Sequence, residues 1–167
     1  MGGWVLSASY ALHMAATVAW VGGLVFQSLL LPGATRSLEP LPRARLYAAL
    51  SRRFQPVAWI SLAILVFTGL SQMAAHPSYA GFLTIEGRWA QSILAKHLAF
   101  GAMILVAGWQ TWGVQPHLGR LLLLQAAGAE PSGSELSRTL LSLDRLTRAN
   151  AVLALVVLAL TAIARTA

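Results

Sequence analysis

The chain has 167 residues, of which 57% are hydrophobic and only 10% charged, with a mean hydropathy of +0.66. Soluble domains are about a quarter charged, so this composition belongs to a membrane protein. The net charge of +7 sits in the connections between apolar stretches, with no basic run interleaved with surface aromatics, which argues against nucleic acid as a partner. The absence of cysteine excludes disulfides, iron–sulfur clusters and thiolate metal sites.

A hydrocarbon core about 30 Å thick needs roughly 20 apolar residues per helix. Four such stretches predict an all-α, integral membrane four-helix bundle that occupies residues 1–167 as one domain. The first span covers about 4–31 and ends at Pro32-Gly33, a helix stop. It is too long for a signal-peptide core and lacks a basic leader, so it is read as a membrane span. The loop after it carries Arg36, Arg43, Arg45, Arg52 and Arg53. Pro40 and Pro42 precede an amphipathic turn that becomes span two, 54–75. A short connection with Pro77 and Gly81 leads to span three, 89–114. The next connection, 115–148, contains a flexible turn at 127–134. Leucines 136, 140, 143 and 146 follow at near-helical spacing, as an amphipathic helix entering span four, 149–164, would require.

Orientation follows from the arginines. The first and third connections carry nine basic residues, against Arg88 and Arg165 at the other end. Basic loops remain cytoplasmic, so both termini are expected outside. Lipid is therefore one partner, and a bacterial inner membrane is the expected location.

Ionisable residues within a span are rare and mark function by default. Span three carries Lys96-His97, and His13 is the titratable residue inside span one. Both spans enter from the same side, with His13 nine residues beyond Trp4 and His97 eight beyond Trp89. At 1.5 Å per residue both imidazoles lie roughly 12–14 Å below the outer boundary. Gly101 and Gly108 fall near the His97 face, about 40° and 20° away, and leave a groove without side chains. Ala16, Thr17 and Trp20 share the face of His13. Two facing imidazoles across a bundle suit low-spin haem iron. His13 and His97 are thus candidate haem ligands, with Lys96, Trp20, Gly101 and Thr17 lining the cofactor. The competing reading of His13 is an interhelical hydrogen bond to a carbonyl or a threonine. An alternative copper site comprises His76, Met73 and Met14 near the outer end, since histidine with thioether suits Cu(I). No nucleophile–base pair, phosphate loop or carboxylate pair points to hydrolysis.

His13 with Trp20, Gly22-Gly23 and Phe26 resembles the first-helix pattern of copper-resistance protein D (CopD) membrane domains. Arg52-Arg53-Phe54, Thr68-Gly69 and Ala95-Lys96 are similar to that family too. The same His and Lys positions also resemble HemJ, a four-helix family that binds haem b. That resemblance implies a haem ligand at His13 and a haem-site residue at Lys96. The chain departs from HemJ after Phe26, where Gln-Ser-Leu-Leu-Leu-Pro replaces an end containing Arg and Tyr. The reading carried forward is a haem b electron-transfer protein, with haem-dependent oxidoreductase activity left open. A quinone or a periplasmic redox partner would serve it, and self-association is also left open. The CopD resemblance implies instead copper transport or handling, with a periplasmic copper partner.

Overall fold

The computed structural model describes residues 3–77, 79, 81, 86–129 and 131–166, and every regular element among them is helical. Helix α1 (Gly3–Val25) continues through a π-helical segment, Phe26–Leu30, into the short α2 (Leu31–Ala34). Helix α3 (Pro40–Ala74) forms the second crossing. Helix α4 (Gly87–Gly108) continues through a second π-segment, Trp109–Val114, into α5 (Gln115–Ala126). Helix α6 (Gly133–Arg165) is the last. Four continuous helical stretches, Gly3–Ala34, Pro40–Ala74, Gly87–Ala126 and Gly133–Arg165, are long and apolar enough to cross a membrane. The chain is a multi-pass helical membrane protein.

These helices outrun the bilayer. At 1.5 Å per residue, the 35 residues of α3 extend about 50 Å, well beyond a core of about 30 Å. The excess forms a second packed layer at the arginine-rich end. The membrane layer packs Trp20, Leu24, Leu62, Leu65, Met103 and Ala154, whereas the second packs Leu31, Tyr47, Leu118, Leu121, Leu136, Leu140 and Leu143. Leucines 136, 140 and 143 are all buried there, as their spacing predicted. Helix α1 lies along α3, and α4 lies along α6. The pairs of helices are stitched in the second layer by Arg43, which donates from Nη2 to Asp144 Oδ2 at 2.9 Å, and by Tyr47, whose hydroxyl donates to Asp144 Oδ1 at 2.8 Å.

Two expectations about helix ends are corrected. Pro32-Gly33 does not stop the first helix, which runs on to Ala34. Proline lacks the N–H that an α-helix would direct to residue i−4, and its ring clashes with that carbonyl. The chain resolves this by widening into a π-turn, in which the Leu31 N–H reaches back five residues to Phe26 O. The same device recurs before Pro116, where the Gln115 N–H bonds Gln110 O. The 115–148 connection is accordingly mostly helix, and only a short turn parts α5 from α6. Gly128 serves that turn with φ +88°, a conformation that costs glycine little. The two halves of the chain share this pattern: Pro32 follows His13 by 19 residues, and Pro116 follows His97 by 19.

Asp144 is the one acid that accepts from both Arg43 and Tyr47. Removing one partner of a buried pair strands the other charge. Asp144→Ala is expected to lower stability in detergent by about 2–4 kcal/mol, read from reversible unfolding, with Asp144→Asn milder because it keeps an acceptor for the Tyr47 hydroxyl.

Candidate functional site

His13 is half-buried on the face of α1 that meets α3. Its Nδ1 lies 2.7 Å from Thr68 Oγ1, and that hydroxyl lies 2.5 Å from Ile64 O. A carbonyl only accepts, so the single Thr68 proton goes to Ile64. The His13 Nδ1–H therefore donates to Thr68 Oγ1, and the neutral ring keeps its lone pair on Nε2. Gly69 supplies the floor beneath the ring: a Cβ built on it would stand 3.6 Å from His13 Cε1. One turn outward, Gln72 Nε2 donates to Ser9 O at 3.2 Å, a second polar tie between α1 and α3.

His97 is arranged the same way by its own helix. Its Nδ1–H donates to Ile93 O at 2.7 Å, because a carbonyl can only accept. A second-shell bond to one ring nitrogen is the usual means of orienting an imidazole for a metal. The two histidines also share a level. Trp20 Nε1–H of α1 donates to Met103 Sδ of α4 at 3.3 Å. His13 precedes Trp20 by seven residues and His97 precedes Met103 by six, so in parallel helices both lie about 9–10 Å toward the outer end. Lys96, next to His97 in the chain, is half-buried on α4.

Other expected residues fare differently. Thr17 donates its hydroxyl to His13 O at 2.8 Å, so it serves the helix rather than a ligand. Trp20 is buried and committed to Met103. Gly101 borders open space, but a Cβ at Gly108 would meet the Trp112 ring at 3.1 Å. The glycine face thus has open space at Gly101 and the Trp112 ring over Gly108, and neither glycine is set against His13. His13 turns to Thr68 and Gly69 of α3, not across to α4, and neither of the two cavities described touches either histidine. A porphyrin between α1 and α4 thus gains no support.

The outer copper alternative is dispersed as well. Met73 is buried at 8% exposure while Met14 is 59% exposed on the outer surface of α1. His76 stacks on Trp89 with ring centroids 4.5 Å apart and planes 15° from parallel, joining the ends of α3 and α4. No group of three His, Cys, Asp or Glu stands together among the described residues.

The copper resistance protein D family model matches residues 48–164. The chain belongs to that family. The CopD match begins inside α3 and runs to the end of α6, so Thr68-Gly69 and Lys96-His97 lie within it and His13 lies before it. No curated protein and no solved structure matches the chain. Thr68, quoted above only as part of a resemblance, is the residue that orients His13. Met103 escaped sequence reading because a lone methionine in an apolar helix looks like core filling.

The contact under His13 yields a graded expectation. Gly69→Ala meets the ring at an ordinary van der Waals distance and gains up to about 1 kcal/mol of helix propensity. Gly69→Leu overpacks the site and costs about 1–3 kcal/mol, and both are read from unfolding in detergent.

Proposed function

We propose that this CopD-family protein handles copper as cargo, receiving Cu(I) at His13, at the outer end of the bundle. The observation that carries this reading is the His13 imidazole, held inside the bundle with its Nδ1–H bonded to Thr68 Oγ1. That tautomer aims Nε2, a borderline-soft donor suited to copper. Family membership supports the same cargo. The arginine-rich end then faces the cytoplasm of a bacterial inner membrane, following the bias of basic residues.

Conduction or transfer needs binding strong enough to admit an ion and weak enough to release it. One oriented imidazole, in a chain without a thiolate, meets that condition. A resident cofactor would call for the opposite.

Purified protein is expected to bind about one Cu(I) per chain by competition with a chromophoric chelator, at a site that includes the His13 imidazole. His13→Ala abolishes that binding. Thr68→Val, which removes only the orienting oxygen, weakens it roughly 10–100-fold. Copper binding unchanged by His13→Ala would defeat the proposal, and a Soret band in the purified protein would restore the haem b reading.

A further inference from the structure

Beyond the Trp20–Met103 contact, toward the arginine-rich end, lies a cavity of about 50 Å³. It is lined by polar side chains from all four crossings, among them Gln27, Gln55, Gln110, Thr111, Thr147 and Asn150. None of these six is charged. Two of their mutual needs are met directly: Gln110 Nε2 donates to Thr147 Oγ1 at 3.2 Å, and Thr111 Oγ1 accepts from Trp59 Nε1 at 3.3 Å. Asn150 is different. It is 1% exposed, and its Oδ1 has no hydrogen-bond partner among the described residues.

Leaving a buried acceptor unpaired costs about 1–3 kcal/mol, and more where the alternative surroundings are hydrocarbon. A buried water needs about 10–15 Å³ and two to four polar partners. The cavity offers room for three or four waters by that measure, and amides and hydroxyls enough to hold them. Its depth also suits water. Gln55 adjoins Pro56, and exposed Arg52, Arg53 and Arg148 flank the same turns of α3 and α6. Both π-segments open onto this level, contributing Gln27 from one and Gln110 and Thr111 from the other. Prolines in membrane helices are tolerated where waters or neighbours satisfy the backbone they disturb.

We infer that this cavity is a water-filled inner vestibule, open to the arginine-rich side, and that Trp20 and Met103 form the barrier separating it from the His13–His97 level. The membrane-layer core of Leu24, Leu62, Leu65 and Ala107 surrounds that barrier. Polar groups thus occupy both ends of the bundle axis, with one directed contact, indole N–H to thioether, between them. The molecule is built as two half-paths meeting at a plug, an arrangement that a one-sided receptor does not require. The hard neutral oxygens of the vestibule bind Cu(I) poorly, so on the copper reading it is the side of release. The vestibule and barrier stand on their own geometry, whatever the outer site binds.

The cysteine-free chain permits a direct test by single-cysteine labelling in sealed vesicles of either orientation. A thiol reacts as the thiolate, which requires contact with water. With a membrane-impermeant maleimide, Thr147→Cys and Gln55→Cys are expected to react from the arginine-rich face at least roughly tenfold faster than lipid-facing Leu155→Cys, and not from the opposite face. Asn150→Leu, which removes the acceptor and fills the space, slows the labelling of Thr147→Cys. Met103→Ala admits the reagent from the His13 side, whereas volume-matched Met103→Leu keeps the labelling one-sided. Monodisperse elution and helical circular dichroism qualify each variant, and Trp20→Ala replaces Met103→Ala should the latter fail to fold. Labelling of Thr147→Cys no faster than of Leu155→Cys would overturn the vestibule. Equal labelling from both faces without the Met103 change, or continued sidedness with it, would overturn the barrier. The reagent is blind to copper, so neither result bears on whether His13 binds the metal.

Discussion

Inside hydrocarbon a polar group must find its partner within the protein, because no water competes for it and none rescues it. That constraint orders this molecule. Ser9, His13, Gln72 and Thr68 satisfy one another across α1 and α3. Trp59 with Thr111 and Gln110 with Thr147 do so between other pairs of crossings. Each bond is modest, since interhelical hydrogen bonds average about 0.6 kcal/mol in membranes. Their value is directional: they decide which face of each helix turns inward, which packing of apolar side chains alone would leave loosely specified.

The histidines show how that direction becomes chemistry. A lone imidazole in a membrane helix has two tautomers and several rotamers. Thr68 removes one choice by committing its own proton to Ile64 O, so that His13 must donate from Nδ1. His97 reaches the same state with no help from another helix, by bonding back to Ile93 O. Two different local solutions thus commit Nδ1–H of each ring to an oxygen acceptor. Gly69 completes the first of them, because a floor with no side chain lets the ring lie against α3.

The crossings and the common depth of His13 and His97 were legible because each rests on length or the 1.5 Å rise, which tertiary contacts do not alter. The direction in which His13 faces was not, since that depends on which neighbour supplies an acceptor, and Thr68 is 55 residues away. The competing expectation of an interhelical bond to a threonine matches what the structure contains. Pro32 misled for a physical reason as well: a proline ends an ideal helix, but a π-turn absorbs the lost donor and lets the helix continue. The vestibule left no trace in the sequence. Its amides come from four separate crossings, each looking like a polar residue near a helix end.

The family match leaves α1 outside its limits, yet the site cannot be assembled without that helix. Thr68 and Gly69 lie in the matched segment, and what they orient and floor is a residue that precedes it. The two halves of the chain also repeat a plan, with a histidine at the outer level, a π-segment at the inner level and a proline 19 residues after the histidine. Helices α1 and α4 are therefore counterparts, and Trp20 and Met103, which touch, hold similar places in them. Half-sites built from equivalent helices on either side of a bundle are the arrangement that lets a binding level lie between repeats, where a small relative movement exposes it to one side or the other. Helix α1, although outside the matched segment, packs along α3 and meets Met103 of α4 through Trp20, so the bundle that the family model covers is completed by it.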